Sequence, residues 1–481
     1  MRTKVGLVIL FVLVSRSVAA QWSPVSPFGS YDTTLGSRIQ AAMQVVYGKT
    51  FSYEQHGVAA SVIVPGLPQW DGAVGTSDDT KPMTPDLNFE IAKCTKSFTA
   101  ALIFTLEDSG QLSISDPISN YISNISSYPN VDPQITIKQL LEHSSGLYDF
   151  IDDDPTNALF NDAYFTNPTK RWTPDEILQN YVKGRLFTAG AAYNYSNTDY
   201  LLLGMIAEKA AGDSLSKEIH RKLLLPLGLA HTSCGWADSV PTNFAHNFTA
   251  APDENTLAFD LFSVNKTAQL SLMNSAGGMI SSVADLAKWS SLLYSGKLLS
   301  NQAMSEMMTI NDWGDSVTHY GRGVLRLEYG PKKFYGDSGS LPGFHTMMFT
   351  NPIDSVTFVI CMNSDMDSND VQISDYARAI LREIYPTLGV PRASRPTEQT
   401  AIAYPNPFSD QTTISFQQDT PGASSLVVYD DLGREVRVIH DASEFIGEHA
   451  LLLRRGELRA GAYHYVVDTP DGRLVGSLVV E

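Results

Sequence analysis

Apolar and polar positions alternate in two distinct regimes along this chain. From residue 21 to about 388, helical and strand-like periods are interleaved. Apolar residues recur at helical spacing over 96–109, 199–211 and 283–294. Strand-like runs appear in SVIVPG (61–66), HTMMFT (345–350) and SVTFVICM (355–362). Beyond GVPRASRPTEQT (389–400), a proline-containing, weakly apolar stretch with the composition of a linker, the pattern changes to short strands. TTISFQ, SLVVYD, EVRVI, HALLLR, AYHYVV and RLVGSLVV follow one another with turn signals between them, and DTPDG (468–472) reads as the hairpin turn of the last two. About 80 residues of this kind suggest a small β-sandwich. The expected organisation is a leader over 1–20, a large α+β domain over 21–388, a linker over 389–400 and an all-β module over 401–481.

The leader assignment rests on MRTKVGLVILFVLVSRSVAA. Its basic start, short apolar run and small residues at Val18, Ala19 and Ala20 match a secretory signal cut after Ala20, and the run is too short to span a bilayer. The chain has 481 residues and a formal charge of −18, which argues against nucleic acid or anionic membranes as partners. No later stretch has the length and apolarity of a transmembrane helix. Cys94, Cys234 and Cys361 have no metal-ligand spacing, so no structural zinc site or other cofactor is expected. An odd count leaves at least one unpaired; a Cys94–Cys234 bridge is possible without being required.

The stretch FEIAKCTKSFTA (89–100) carries the most chemical information. Cys94, Phe98, Leu102 and Leu106 recur every four residues and predict the buried stripe of a helix that Gly110 stops. Lys93, Lys96 and Ser97 share another face. A serine at 93 would present its hydroxyl to Lys96 one turn on, the arrangement by which a lysine takes the proton of a nucleophilic serine. Position 93 is a lysine.

ITIKQLLEHSSGLYDF (135–150), YNYSNTDYLLLGMIAEKAAG (193–212), LLLPLGLAHTS (223–233), NSAGGMISSVADLAKW (274–289) and YGDSGSLPGFH (335–345) follow in order. With the S-x-x-K-like segment, residues 40–385 resemble the serine β-lactamase and penicillin-binding family, in its class C, DD-peptidase and esterase branch. The resemblance implies an antiparallel sheet flanked by helices and hydrolysis of amide or ester bonds through an acyl-enzyme, on small peptide, β-lactam-like or ester substrates. The family's Y-x-N motif falls on Tyr195–Ser196–Asn197, which implies Tyr195 as base or proton relay and Asn197 as a substrate-positioning residue. A capping box in SNTD (196–199) would account for the same residues without chemistry. The family's third motif, K-T-G or H-x-G, falls on Asp337–Ser338–Gly339 and implies substrate binding, but an acid stands where a cation or histidine belongs. Lys93 and Lys96 on one face would repel by about 0.5 kcal/mol, so the two departures are complementary in charge and predict a Lys93–Asp337 ion pair across the cleft. His143 and His345 are expected to pack or hydrogen-bond, with no second ligand at metal spacing.

The C-terminal module resembles the type IX secretion sorting domain in YPNPFSDQTTISF (404–416), VVYDDLGREVR (427–437), LRAGAYHYVV (458–467) and the final GSLVVE. That resemblance implies the type IX machinery as a partner and a destination at the cell surface or outside it. A carbohydrate-binding or spacer sandwich would have the same strand pattern. Two function classes follow for the large domain: a hydrolase, or a non-catalytic binding protein on the hydrolase fold.

Overall fold

The computed structural model describes residues 33–48, 57–78, 80–151, 158–249, 259–311, 319–364, 372–386, 401–418, 424–430, 434–441, 447–456, 458–469 and 472–480. The proposed leader (1–20) and linker (389–400) lie outside these. The chain divides into two compact units between Pro386 and Thr387.

The framework of the first unit is a six-stranded antiparallel sheet. Its strands run, in spatial order, Trp70–Gly75, Gly57–Ile63, Val356–Met362, Phe344–Asn351, Lys332–Leu341 and Leu325–Tyr329. The sheet therefore joins the start of the unit to its end, with Ala59 opposite Cys361. Strand alternation sends neighbouring side chains to opposite faces. On one face Val62 and Trp70 meet Leu35 and Ile39 of the helix Thr33–Tyr47. On the other, Gln69 Nε2 bridges Ser61 Oγ and the Ala284 carbonyl of the helix Val283–Tyr294, and Ser290 Oγ bonds Thr350 Oγ1. The two strand-like apolar runs at 345–350 and 355–362 are central strands buried on both faces, which is why they do not alternate.

The helix Thr95–Asp108 lies inside the unit rather than on its surface. Its predicted stripe, Cys94, Phe98, Leu102 and Leu106, is fully buried, and so are Thr95, Lys96, Ser97 and Thr99 on its other faces. Phe98 stacks on Trp289 with ring centroids 4.0 Å apart. The helix stops at Gly110, whose φ of 70° only glycine adopts without strain. Helices Asn197–Ala211 and Thr267–Gly277 pack against it. The helical periods read over 96–109, 199–211 and 283–294 coincide with helices Thr95–Asp108, Asn197–Ala211 and Val283–Tyr294. No helix among the described residues is long and apolar enough to cross a membrane.

The second unit is a β-sandwich. A three-stranded sheet (Ile402–Tyr404, Gln411–Gln418, Gly447–Arg454) and a four-stranded sheet (Glu435–Asp441, Ser424–Tyr429, Gly461–Thr469, Gly472–Val480) share one core. Ile414, Leu453, Leu426, Val467 and Leu478 meet there. The last two strands pair from Thr469–Gly472 out to Gly461–Val480, as a tight hairpin requires.

Candidate active site

Lys93 is the middle residue of a 3₁₀ turn, Ala92–Cys94, that leads into the buried helix. Strand Lys332–Leu341 runs beside that turn so closely that a Cβ on Gly339 would lie 2.5 Å from the Lys93 nitrogen. Only glycine permits this approach. Residues 337 and 339 share a face of the strand, so Asp337 also looks toward the turn and is buried.

Around Lys93 a hydrogen-bonded relay is fully assembled. The Lys96 ammonium, with no solvent exposure, donates to Asn197 Oδ1 at 2.9 Å and to the Ala276 carbonyl at 2.7 Å. Tyr195 Oη donates to the same Asn197 Oδ1 at 2.9 Å. Asn197 is held in turn by Asp149, whose Oδ2 accepts from its backbone nitrogen and, at 2.9 Å, from its Nδ2. A buried ammonium is tolerated only when its protons find acceptors, and here a side-chain amide and a main-chain carbonyl provide them.

The next layer fixes that relay. Asp199 Oδ2 lies 2.9 Å from His143 Nδ1, and Asp199 Oδ1 accepts from Ser145 Oγ at 2.5 Å. His143 Nδ1 also receives the Ser196 backbone N–H at 3.2 Å. Burial, reinforced by the charges of Lys96 and Lys93, holds His143 well below its ordinary pKa. Burial pushes Asp199 well above the usual carboxylate range; the Ser145 hydroxyl opposes the shift, Asp149 adds to it and Lys96 opposes it. Ala92 (φ 48°), His143 (φ 55°) and Asn274 (φ 38°) surround the site in left-handed backbone that costs a non-glycine residue about 1–3 kcal/mol. The Asn274 kink sits two residues before Ala276, where it sets the direction of the carbonyl that receives Lys96.

One sequence-based alternative and one expectation fail here. The capping box at 196–199 does not form: Ser196 is the N-cap residue, but its side chain makes no cap bond, and Asp199 is committed to His143 and Ser145. The function of that cap passes to Asp149, which receives the first helical N–H from outside the motif. The Lys93–Asp337 ion pair does not form either. The Lys93 ammonium lies 4.5 Å above the Tyr195 ring centroid. Asp337 Oδ1 accepts the Ser338 N–H at 2.8 Å, and its Oδ2 is buried without a hydrogen-bond partner. Desolvation pushes the Asp337 carboxyl up to about 7, against the lowering effects of Lys96, the Ser338 N–H and Lys93. Opposite charges on facing elements set a field, but not the rotamers that would close a contact.

The structure also locates the other possible nucleophiles. Ser97 Oγ donates to the Cys94 carbonyl at 2.7 Å and accepts from Trp289 Nε1 at 3.0 Å, so it faces the core. Cys94 is fully buried against the sheet, its thiol 3.6 Å from the Asp337 carbonyl oxygen, and burial pushes its pKa well up. Ser338 is half-buried on the strand. Cys94, Cys234 and Cys361 are all buried and unbridged. Asp149, Ala276 and Asn274 carry the relay, yet their spacing from Lys96 and Asn197 offers no local signal; only the folded chain brings them together.

A central helix that delivers a lysine to a tyrosine–asparagine pair beside a cleft strand defines the class of serine acyl-transfer hydrolases. The chain belongs to the β-lactamase family, whose model, described as Beta-lactamase, matches residues 35–382. A second model, Secretion system C-terminal sorting domain, matches residues 402–481 and marks the chain for type IX secretion. Penicillin-binding protein 4* of Bacillus subtilis is 26% identical over an aligned length of 321, covering 63% of this chain. The chain spans 65% of that relative's length. A D-amino acid amidase from Ochrobactrum anthropi SV3, solved with L-phenylalanine amide, is 26% identical with a TM-score of 0.63, covering 73% of this chain and 99% of the amidase. A penicillin-binding protein from Bacillus halodurans (20% identical, TM-score 0.60, 71% of this chain and 99% of its own) shares the fold.

Proposed function

We propose that this protein is an exported β-lactamase-family member whose acyl-enzyme chemistry is lost or severely impaired, because Lys93 occupies the nucleophile position. The observation that carries the reading is the relay itself: Lys96, Asn197 and Tyr195 are hydrogen-bonded together, and the residue beside them has no hydroxyl. In a working site of this class, the lysine–tyrosine pair removes the proton of a serine hydroxyl as its oxygen attacks the carbonyl carbon, and the leaving amine or alkoxide takes a proton as its bond breaks. Here Lys96 and Tyr195 have no hydroxyl to serve. Lys93 instead carries its ammonium over the Tyr195 ring.

The second reading, a non-catalytic ligand-binding or surface protein, is favoured by Asp337. An acid at that position removes the cation that would receive a substrate carboxylate, leaving Ser338 and Gly339 to line the strand. The cleft then suits a ligand without a free carboxylate at that end, such as an amide or ester. On export, the leader is cleaved after Ala20 and the C-terminal module is removed or used for surface attachment; terminal sequencing and intact mass of the secreted protein distinguish these fates.

Intact-mass measurement of the purified chain with a penicillin and with an activated ester, beside its Lys93→Ser variant, tests the central reading. No adduct on the native chain and a stoichiometric one on the variant is the expected result. An adduct on the native chain would overturn it. If neither protein reacts, the relay is not competent and the binding-protein reading takes precedence.

A further inference from the structure

Away from the cleft, three potential metal ligands that are scattered in sequence converge. His220 opens a π-helical segment, His220–Leu224, in which the widened turn re-aims side chains relative to the flanking α-helices. Cys234 belongs to the short strand Ser233–Cys234, held in register by Met279. The chain then folds back, with the Ala237 and Asp238 nitrogens both donating to the Cys234 carbonyl at 2.8 Å. This turn brings Asp238 beside the residue four positions earlier. One donor atom from each of His220, Cys234 and Asp238 lies within 4.8 Å of the other two.

We propose that His220, Cys234 and Asp238 form a binding site for a zinc-type divalent cation. Thiolate, imidazole and carboxylate are the donor types that such a cation takes, at about 2.0–2.3 Å each. Tetrahedral placement around one ion sets the donors about 3.3–3.8 Å apart. The His220 Nε2–Asp238 Oδ2 separation of 2.8 Å would need to widen by less than 1 Å. The charges close: a dication meets one thiolate, one carboxylate and a neutral imidazole. The access is asymmetric, since Cys234 is fully buried while the side chains of His220 and Asp238 are 34% and 27% exposed. An ion therefore enters from the histidine–aspartate side, and its fourth position faces solvent.

The same groups also bond one another. Asp238 Oδ2 accepts from the Cys234 backbone N–H at 2.7 Å and pairs with His220, and Ser216 Oγ approaches Oδ1 at 3.4 Å. A metal takes cysteine as the thiolate, so the Cys234 thiol must give up its proton. Each ion bound therefore releases one proton. The position also matters for the fold. Gly235 N–H bonds the Gly278 carbonyl, two residues beyond the Ala276 carbonyl that holds Lys96. A cation here would brace the segment behind the relay without touching it.

Cobalt(II) provides the direct test, because thiolate ligation produces an intense near-ultraviolet charge-transfer band that carboxylate and imidazole do not. The full chain, stripped with chelator and kept reduced, is titrated with cobalt and then with zinc. The expected result is one equivalent bound with that band, its bleaching by zinc, and release of one proton per ion. Cys234→Ser should abolish the band. His220→Gln, a partly exposed substitution that preserves folding if the cysteine variant does not, should weaken binding by at least the ~10-fold that loss of even a supporting group costs a metal site. Absence of a charge-transfer band, or a band that survives in either variant at unchanged affinity, would overturn the assignment and leave the trio a hydrogen-bonded clasp.

Discussion

Two sides of the candidate site differ in how fully they are specified. On the relay side, Lys96, Asn197, Tyr195 and Asp149 satisfy one another through bonds of 2.9 Å or less, and backbone strain at Ala92, His143 and Asn274 surrounds them. At the nucleophile side, Lys93 is half-buried with its ammonium over an aromatic ring, and Asp337 keeps one carboxylate oxygen without a partner. On the function proposed above, a site retains the expensive part of its architecture, buried polar groups that must be matched, while the reacting atom itself is exchanged. What a fold keeps and what a reaction needs are separable, and four changes test how far.

The largest effect is expected in catalysis. If the relay is competent, Lys93→Ser gains acylation, and adding Lys96→Met to it removes the general base and slows acylation by about 10²–10⁴-fold. The measurement is adduct formation over time by intact mass, with circular dichroism confirming that both variants fold. Equal rates in the single and double variants would show that the hydrogen-bonded relay is only structural, and the contrast between the two sides would collapse.

How much of this was legible beforehand differs between the same two sides. The helical periods over 96–109 and 199–211 and the stripe through Leu106 follow from periodicity, because local spacing determines which residues share a face. The six C-terminal strand runs were legible for the same reason, each coinciding with a strand of the sandwich. The supports were not. Asp149 reaches Asn197 across 48 residues and Ala276 reaches Lys96 across 180, contacts that only the tertiary fold creates. Charge alone pairs Lys93 with Asp337, but the strand presses Gly339 against the Lys93 backbone while the lysine's own rotamer carries its ammonium to Tyr195. His220, Cys234 and Asp238 carry no local zinc spacing, because they come from a π-helical segment, a short strand and the turn after it.

The second change strikes the relay's stability. Asn197→Leu deprives the buried Lys96 ammonium and the Tyr195 hydroxyl of their shared acceptor. The expected loss is on the order of 3 kcal/mol, since a buried charged donor and a half-buried tyrosine hydroxyl each lose an acceptor. Urea denaturation of the native and variant chains measures it. A loss below about 1 kcal/mol would mean that water reaches Lys96 readily and that the relay is less closed than its geometry indicates.

The third change uses pH. Asp337 titrates at about 7 in the folded protein, above the ordinary 3.8 expected once unfolded. A carboxyl with a raised folded-state pKa stabilises the native state fully below its unfolded pKa, and that contribution disappears as pH rises through the folded value. The native chain should therefore lose stability relative to Asp337→Asn between about pH 4 and pH 7. The two should be alike near pH 4, and the variant should be the more stable at pH 8, each tenfold difference in proton affinity being worth at most ~1.4 kcal/mol. Thermal melts across that range provide the comparison. A difference that does not change with pH would indicate that Asp337 remains ionised throughout.

The smallest effect should come from the position that changes the chemistry most. Lys93→Met keeps an apolar stem for packing but removes the ammonium. What is lost is the cation–π contact with Tyr195, about 0.5–1 kcal/mol at a partly exposed site. What is gained is relief of repulsion with Lys96, about 0.5 kcal/mol by the measure of like charges on a helix face. These nearly cancel, so denaturation midpoints of the two proteins should agree to within about 1 kcal/mol. A loss above about 2 kcal/mol would mean that Lys93 has a strong ionic partner in solution, and the pairing with Asp337 would return as the explanation. Near-neutrality would instead show that position 93 is free of structural constraint. In that case a relay assembled at high cost surrounds a residue the fold does not need, and the same scaffold accommodates either a nucleophile or a cation there.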